Sequence, residues 1–275
     1  MSDQLNELDL YSGDGCGFPL AGVLTERIKL RFAADNNPNC QTILGLRYPD
    51  AEIAGDVYEF RWKDYYKRNP GGTRERIDLV TASPPCQPFS LQGDRKGVDD
   101  PRDGIPGLLT VLKTLKPRYL AFENVPGLLS CPFKPGDEPG SYFRKFVESL
   151  AKFGFDAQWM CIGSWAFGSP FFRQRLLLVA VSRSAVRPGW EKVSWAEQAR
   201  SASERYRNSG IERSFEPPIS REKLQSAFEL DEPIGIPSGD ATVKQRRSAL
   251  GNSLDWRVAK CALDRILWIH DNYGI

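Results

Sequence analysis

The chain has 275 residues, of which 41% are hydrophobic and 26% are charged, and its formal net charge is +2 at pH 7. This composition is ordinary for a globular protein and allows a sizeable core in one large or two modest domains. The small net charge neither requires nor excludes a nucleic-acid partner, because such binding depends on local clusters of Lys and Arg.

Several classes of protein are excluded. Apolar runs stay well short of the roughly 20 residues of a membrane helix, and the start MSDQLNELDL lacks the features of a secretory signal. We therefore expect an intracellular protein without a membrane partner, cytoplasmic if its source is a prokaryote or a phage. The six cysteines include no CxxC pair, and the single histidine, His270, lies near the end. These counts argue against a metal site, a disulfide framework and a His-dependent hydrolase, and we expect a metal-free monomer.

In chain order, short apolar strands alternate with helical patterns through the first two thirds of the sequence. The predicted strands are 8–11, 28–33, 77–82, 119–122, 157–162 and 176–181. Helical spacing predicts helices over 108–115 and 141–153, the second with Ser141 as its N-cap and Gly154 at its exit. This alternation predicts an α/β fold with a Rossmann-like, doubly wound and mostly parallel sheet.

The pattern changes after Val181. Residues 182 to about 238 are polar and poor in strands, apart from a helix indicated by the capping box SWAE at 194–197. The last segment returns to helical spacing, with apolar residues three or four apart at Leu254, Val258, Ala262, Ile266 and Ile269. We therefore divide the chain into a sheet domain (1–181), a small lobe (182–238) and a C-terminal segment (239–275) whose helix packs back on the sheet.

The first predicted strand runs directly into a glycine-rich turn in the segment LDLYSGDGCGF, residues 8–18. Glycines at this place in a doubly wound sheet let a ligand lie against the backbone. The GxGxG spacing departs from the GxGxxG of pyrophosphate sites and favours an adenosyl cofactor without phosphate. Asp35, after the second strand, suits a ribose diol, and Asp56 suits an adenine amino group. A glycine-rich turn without a ligand is the alternative.

A second segment, SPPCQPFS at 83–90, places three prolines around Cys86 at the end of another predicted strand. A stiff backbone holds the sulfur in one place, which a nucleophile needs and a packing cysteine does not. Glu123, in FENV, follows at the end of the next strand. Because C5 of cytosine is a poor nucleophile, thiolate addition at C6 is a route to an enamine that attacks a methyl sulfonium, with an acid near N3. The pair favours this chemistry over a buried structural thiol.

These segments resemble those of the cytosine-5 DNA methyltransferase family, in the family's order and over nearly the whole chain. DLYSGDGCGF is similar to the first cofactor motif, SPPCQPFS to the nucleophile motif, GDRKGVDDPR to its mobile loop, FENV to the glutamate motif, WAFGSPFFRQRLLLVAV to the arginine motif and QRRSALGNSL to the closing motif. The resemblance implies a class I methyltransferase fold with a reduced target-recognition lobe. It also implies S-adenosylmethionine as cofactor, double-stranded DNA as partner and a base flipped out of the duplex.

The resemblance also implies roles for individual residues. The implied catalytic residues are Cys86, Glu123, Arg173 and Arg175, the arginines holding the target nucleotide. The implied cofactor contacts are Asp9, Tyr11, Ser12, Gly13, Asp14, Gly15, Asp35, Asn36, Asp56, Val57, Pro85, Asn252 and Ser253. The implied DNA contacts are Ser90, Arg95 and Lys96.

Some residues depart from the family pattern. Asp14 and Cys16 replace an apolar residue and a glycine, Asn36 replaces an apolar residue that stacks on adenine, and Phe171 stands where glutamine is usual. The family's leucine after PRG also has no clean equivalent. These departures concern cofactor affinity rather than chemistry, because the reacting thiol and carboxylate are both present.

Two alternatives stay open. A tRNA cytosine-5 methyltransferase would fit the short lobe, and a catalytically impaired DNA-binding regulator of the same fold would fit the altered first motif. If DNA is the substrate, a lobe this short offers few contacts to base edges, each of which contributes about 1 to 3 kcal/mol of discrimination. We therefore expect a short or degenerate target sequence.

Overall fold

The computed structural model describes residues 4–59, 62, 76–91, 95–168, 173–208 and 254–275. The strands are Leu5–Leu10 (β1), Ile28–Ala34 (β2), Glu52–Ala54 (β3), Leu79–Ala82 (β4), Tyr119–Asn124 (β5), Phe155–Gly163 (β6) and Gln174–Ser182 (β7). The α-helices are Phe18–Val23 (α1), Pro38–Arg47 (α2), Ile105–Leu115 (α3), Ser141–Lys152 (α4), Trp195–Asn208 (α5) and Trp256–Tyr273 (α6). The six predicted strands and the predicted helices are all present within a few residues of their expected bounds.

The strands form one sheet in the order β3-β2-β1-β4-β5-β7-β6. Every pair from β3 to β5 is parallel, and β7 runs antiparallel to both of its neighbours. The predicted doubly wound, mostly parallel α/β fold is thus confirmed. The strand order reverses between β1 and β4, and in such sheets ligands bind at the carboxyl ends of the strands beside this switch point. The glycine-rich turn follows β1 and the cysteine segment follows β4.

The central strands are buried on both faces, as their nearly continuous apolar sequences require. Along β5, Leu120 and Phe122 face the core under α3 and α4, whereas Tyr119 and Ala121 face the core under α1 and α6. The apolar stripe predicted for the C-terminal segment is buried in that second core. This packing fixes both faces of the sheet and leaves its carboxyl edge for the loops.

Two local features differ from expectation. Ser141 does not cap α4: Gly140 precedes the helix, and the Ser141 hydroxyl accepts a hydrogen bond from the Phe133 amide at 2.8 Å. The strand β3 was not predicted, because three residues are too few to show a period. Gly154 does follow α4 with a φ of +88°, which suits the left-handed exit of a helix.

The first part of the predicted lobe packs against the sheet domain. The Ser194 side chain caps α5 by accepting from the Glu197 amide at 3.2 Å, and Trp190 and Trp195 are buried in the core under α6. Arg265 of α6 is buried and donates to the carbonyl oxygens of Trp190 and Val193 at 3.0 and 2.8 Å. The boundaries at 182 and 238 stay predictions, since 209–253 lie outside the described residues. Within the described part of the chain, no helix is both long and apolar enough to cross a membrane.

Candidate active site at the carboxyl edge of the sheet

The two loops singled out in the sequence leave the sheet side by side. The Ser12 amide bonds to Ala34 O of β2 at 3.1 Å, and the Ser83 amide bonds to Leu10 O of β1 at 3.2 Å. Each loop is therefore tied to the strand next to its own. This pairing brings the cysteine segment next to the glycine-rich turn.

The backbone around Cys86 is held at several points. The amides of Phe89 and Ser90 both bond to Cys86 O, at 3.0 and 2.9 Å, which turns the chain tightly after the thiol. The Asn124 side chain donates to Pro84 O at 3.1 Å. At Gly127, an added Cβ would lie 2.4 Å from Phe89 O, so this close approach requires glycine. Cys86 is half-buried at the end of this fixed turn.

Glu123 is the next-to-last residue of β5 and pairs with Arg175 of β7. The antiparallel register sets Glu123 opposite Leu177, so Arg175 is its diagonal neighbour on the same face. The Arg175 Nε lies 2.7 Å from Glu123 Oε1, and the Ser83 hydroxyl also donates to this carboxylate. A buried carboxylate is thus held by a cation and a hydroxyl, each from a different strand end.

The charges of these residues act on one another. Burial raises the pKa of the Cys86 thiol, the Glu123 carboxylate raises it further, and Arg175 and Arg173 oppose the rise. Burial also raises the pKa of Glu123 against the effect of the same two arginines. Burial, followed by Arg175, lowers the pKa of Arg173. The four predicted catalytic residues therefore lie together in one electrostatic environment, with Cys86 held as the thiol at neutral pH.

The glycine-rich turn is anchored to the end of β2. The Gly13 amide donates to Asp35 Oδ2 at 2.9 Å, and the Asn37 amide donates to Oδ1 at 2.9 Å. Gly13 has a φ of +56°, and no heavy atom lies within 4 Å of the place its Cβ would take. The turn therefore presents open backbone beside a carboxylate that retains lone pairs for a further donor.

Tyr11 connects this turn to the start of α3. It has a φ of +59°, and its hydroxyl donates to Gly104 O at 2.7 Å. At Gly107, an added Cβ would lie 2.6 Å from that hydroxyl. Tyr58 reaches the same helix start by donating to Asp103 O at 2.7 Å. Gly104, the residue before α3, and Gly107, in its first turn, thus make room for two tyrosines at the edge of the site.

The other predicted cofactor contacts lie in different surroundings. Asp56 accepts from the Tyr58 amide at 2.8 Å, Val57 is buried, Pro85 is half-buried and Asn36 is exposed. The carbonyl oxygens of Asp14 and Gly15 accept hydrogen bonds from Arg47 and Tyr48, at the end of α2. The roles assigned to these residues by resemblance stay predictions.

Asp9 lies inside the sheet rather than at its edge. It is 2% exposed, and the Thr81 hydroxyl of β4 lies 2.6 Å from its Oδ1. The Ser12 hydroxyl donates to the Asp9 carbonyl at 3.1 Å. Both residues therefore support the base of the turn through these bonds.

The predicted DNA contacts are spread over the loop that follows the nucleophile. Ser90 is half-buried and Lys96 is exposed. The Arg95 guanidinium donates to Gly127 O at 3.1 Å and to Ser130 Oγ at 3.0 Å. This end of the loop is thereby tied to the turn that follows β5.

Asn252 and Ser253 lie outside the described residues. The next residue, Leu254, packs on the glycine-rich turn, because its Cβ would lie 3.0 Å from a Cβ added at Gly17. Asp255 caps α6, and its charge raises the pKa of Arg173 against the larger, lowering effect of burial. Leu254 and Asp255, at the start of α6, therefore lie between the glycine-rich turn and Arg173.

Three residues of the site were missed in the sequence. Ser83 stands directly before the prolines, and its place at a strand end was the available signal. Arg47, whose Nη1 donates to the Asp14 carbonyl and to Cys16 Sγ, gave no local signal, because these partners are distant in sequence. Asp255 did have a local signal, since it stands directly before the apolar stripe of α6 and accepts from the Arg257 amide at 3.0 Å as an N-cap residue does.

A family model described as C-5 cytosine-specific DNA methylase matches residues 5–232. The chain belongs to this family. Among curated relatives of this DNA methylase family member, Type II methyltransferase M.NgoMIV of Neisseria gonorrhoeae is 35% identical over 143 residues, which is 52% of this chain and 41% of that protein. Type II methyltransferase M.AquIA of Picosynechococcus sp. is 31% identical over 188 residues, which is 62% of this chain and 70% of that protein.

A solved structure of a Spodoptera frugiperda DNMT2 variant shares the fold. The two chains superpose with a TM-score of 0.61 at 15% identity, covering 96% of this chain and 100% of that one. At this identity the likeness concerns the fold alone. It supports the α/β fold of this C-5 cytosine-specific DNA methylase family member.

Proposed function

We propose that the protein transfers a methyl group from S-adenosylmethionine to C5 of cytosine in double-stranded DNA. The observation that carries this proposal is the position of the Cys86 thiol within the field of Glu123, Arg173 and Arg175, next to the glycine-rich turn. Family membership implies a methyl donor and a DNA substrate, and this cluster supplies the groups needed for attack on a pyrimidine ring.

The residues around the glycine-rich turn fit an adenosyl cofactor. The open face at Gly13 leaves space for a ligand against backbone, and the neighbouring Asp35 carboxylate is an acceptor suited to the two hydroxyls of a ribose. Asp56 and Tyr58 provide further polar groups on the same side. When bound, S-adenosylmethionine supplies an electrophilic sulfonium methyl group.

Cys86 acts as the nucleophile. Its thiol gives its proton to solvent water, and the sulfur then bonds to C6 of a cytosine that has left the base stack, at a cost of a few kcal/mol for unstacking. The rigid turn around residue 86 places the sulfur in advance, which lowers the entropy cost of the step. The two arginines favour the thiolate and oppose the effects of burial and of Glu123.

Glu123 acts at N3 of the ring. In its protonated form it gives its proton to N3 as the sulfur adds at C6, the C5–C6 π electrons move to the C4–C5 bond and the C4–N3 π electrons move to N3. The resulting enamine is nucleophilic at C5. The raised pKa of Glu123 increases the protonated fraction, and Arg175 fixes the direction of the carboxyl group. Transfer of the methyl group to C5 would leave S-adenosylhomocysteine. Solvent water then takes the C5 proton, the Cys86 sulfur leaves C6 as thiolate, and N3 returns its proton to Glu123, which restores the aromatic ring.

The decisive experiment compares Cys86→Ala with wild type on a duplex that contains 5-fluorocytosine. We expect wild type to form a covalent complex in the presence of S-adenosylmethionine, because fluorine at C5 blocks the final elimination. The variant should form none and should keep its affinity for the cofactor. Cys161→Ala is the matched control, since Cys161 is an exposed cysteine on β6.

Covalent trapping by the Cys86→Ala variant would contradict the proposed role of the thiol. A parallel assay on tRNA separates the two substrate classes. Transfer to tRNA and none to duplex DNA would replace DNA by tRNA as the substrate. Absence of cofactor binding by wild type would support the regulator alternative.

A further inference from the structure

The glycine-rich turn contacts the C-terminal end of α2 as well as Asp35. Arg47, the last residue of α2, is 2% exposed at its side chain. Its Nη1 donates to the Asp14 carbonyl at 2.5 Å and to Cys16 Sγ at 2.7 Å, and it lies 3.8 Å from Asp14 Oδ2. One buried guanidinium therefore contacts both residues that flank Gly15.

The next residue adds a second attachment. The Tyr48 hydroxyl donates to Gly15 O at 2.7 Å, and its ring packs so closely that a Cβ on Gly15 would lie 2.6 Å from Tyr48 Cε2. Gly15 has a φ of +78°, and the Asp14 Oδ1 accepts from the Cys16 amide at 3.0 Å. The turn is thus closed on itself and fastened to the end of α2.

We propose that Arg47 is a positioning residue for the cofactor, acting through the Asp14–Cys16 turn. The inference rests on the proposed function, because the turn is there assigned to S-adenosylmethionine. The Asp14 side chain is only 7% exposed. A buried carboxylate is stable only with a cation or hydrogen-bond donors nearby, because burial removes its water shell. Arg47 meets that need and at the same time fixes the carbonyl of residue 14.

Arg47 should increase cofactor affinity because it reduces the conformational freedom of the turn before the cofactor binds. Without the guanidinium, Asp14 moves toward water, and the amides of the turn no longer keep one orientation. Ordering them on binding then costs free energy that the wild type has already spent in folding. Arg47 therefore affects cofactor binding without touching the cofactor.

The test measures the affinity for S-adenosylmethionine and S-adenosylhomocysteine by calorimetry in wild type, Arg47→Met, Asp14→Asn and the double variant. We expect each single change to weaken binding about tenfold, and the double variant to bind no more weakly than Arg47→Met, because both changes break one pair. Hydrogen exchange of the amides at 12–17, measured without cofactor, should accelerate in the three variants. Affinity for a cytosine-containing duplex should stay within about twofold.

Arg27→Met is the matched control. Arg27 is paired with Asp271 at 2.7 Å, also by its guanidinium, but on the surface away from the turn. It should change neither affinity nor exchange at 12–17. If Arg47→Met does not fold, Asp14→Asn and Arg47→Lys decide, since both keep most of the packing.

Unchanged affinity and unchanged exchange in folded Arg47 and Asp14 variants would overturn the inference, as would fully additive effects. If wild type itself binds neither adenosyl compound, the proposed function fails, whereas the exchange data still report whether Arg47 orders the turn.

Discussion

The acid pair inside the sheet gives a sharp prediction about pH. Glu7 is fully buried on β1, two residues before Asp9 and therefore on the same face of the strand. The Thr81 hydroxyl lies 2.7 Å from Glu7 Oε1 and 2.6 Å from Asp9 Oδ1. A hydroxyl has only one proton to donate, so one of the two carboxyl groups must donate to the Thr81 oxygen and carry a proton itself.

The magnitude follows from the pKa of Asp9. Burial raises this pKa from the ordinary 3.8 to about 7, against the opposing hydrogen bonds of Thr81 and Ser12. Burial, followed by the charge of Asp9, also raises the pKa of Glu7. For Asp9 the rise from 3.8 to about 7 corresponds to about 4 kcal/mol, because one pH unit is worth about 1.4 kcal/mol.

The sign is fixed by which state holds the proton. Between about pH 4 and pH 7 the folded protein keeps the Asp9 proton, whereas the unfolded chain loses it. The contribution to the free energy of unfolding is therefore fully present below about pH 4 and is lost as the pH rises through about 7. About 3 kcal/mol of the Asp9 contribution to the free energy of unfolding is lost between pH 5 and pH 8.

The perturbation is Asp9→Asn, which keeps the shape and removes the titration. The free energy of unfolding is measured with urea at pH 5, 6, 7 and 8 without cofactor. Between pH 5 and pH 8 it should fall by about 3 kcal/mol more in wild type than in the variant. Asp271→Asn is the control. Arg27 lowers the pKa of Asp271, so its contribution is already complete at pH 5, and the slope should match that of wild type.

Parallel curves for wild type and Asp9→Asn would refute the reasoning. They would mean that Asp9 is ionised in the native sheet or that its proton is not taken up on folding.

Three further predictions concern the site. Glu123→Gln should lower the rate of methyl transfer by about 10²- to 10⁴-fold while calorimetric affinity for S-adenosylmethionine stays the same; a rate near that of wild type would remove Glu123 from the chemistry. Arg175→Met removes a cation that lowers the pKa of Cys86, so the midpoint of the pH profile of kcat/KM should move to higher pH, and an unmoved midpoint would contradict this coupling. Gly127→Ala should reduce the free energy of unfolding, measured by thermal denaturation, by about 1 to 3 kcal/mol, because its Cβ would lie 2.4 Å from Phe89 O. Gly45→Ala is the control, since no heavy atom lies within 4 Å of the added Cβ, and equal effects of the two changes would argue against the close approach at Gly127.

The alternation of apolar strands and helices in the sequence was enough to predict the doubly wound sheet. Each strand or helix can be recognised from the pattern of a few neighbouring residues. Parallel strands place their carboxyl ends at the same edge of the sheet. The glycine-rich turn, Cys86 and Glu123 were singled out for the same reason, since each lies at or shortly after the end of an apolar strand.

Local pattern was insufficient where one residue has two possible partners. Ser141 before an apolar helix has the sequence of an N-cap, yet its hydroxyl serves the Phe133 amide from a neighbouring loop. Asp9 has the sequence position of a cofactor contact, and only the pairing of β1 with β4 shows it against Thr81, 72 residues away.

The sequence by itself therefore determined the order of the predicted strands and helices along the chain and the edge of the sheet to which the candidate site residues were assigned. Only the tertiary structure decided which charges meet there: Glu123 with Arg175 through the register of β5 and β7, and Asp14 with Arg47 through the packing of α2. The physical reason is range. Periodicity and turn preference act between neighbours along the chain, whereas the pKa of a buried group depends on whatever folding brings close to it in space.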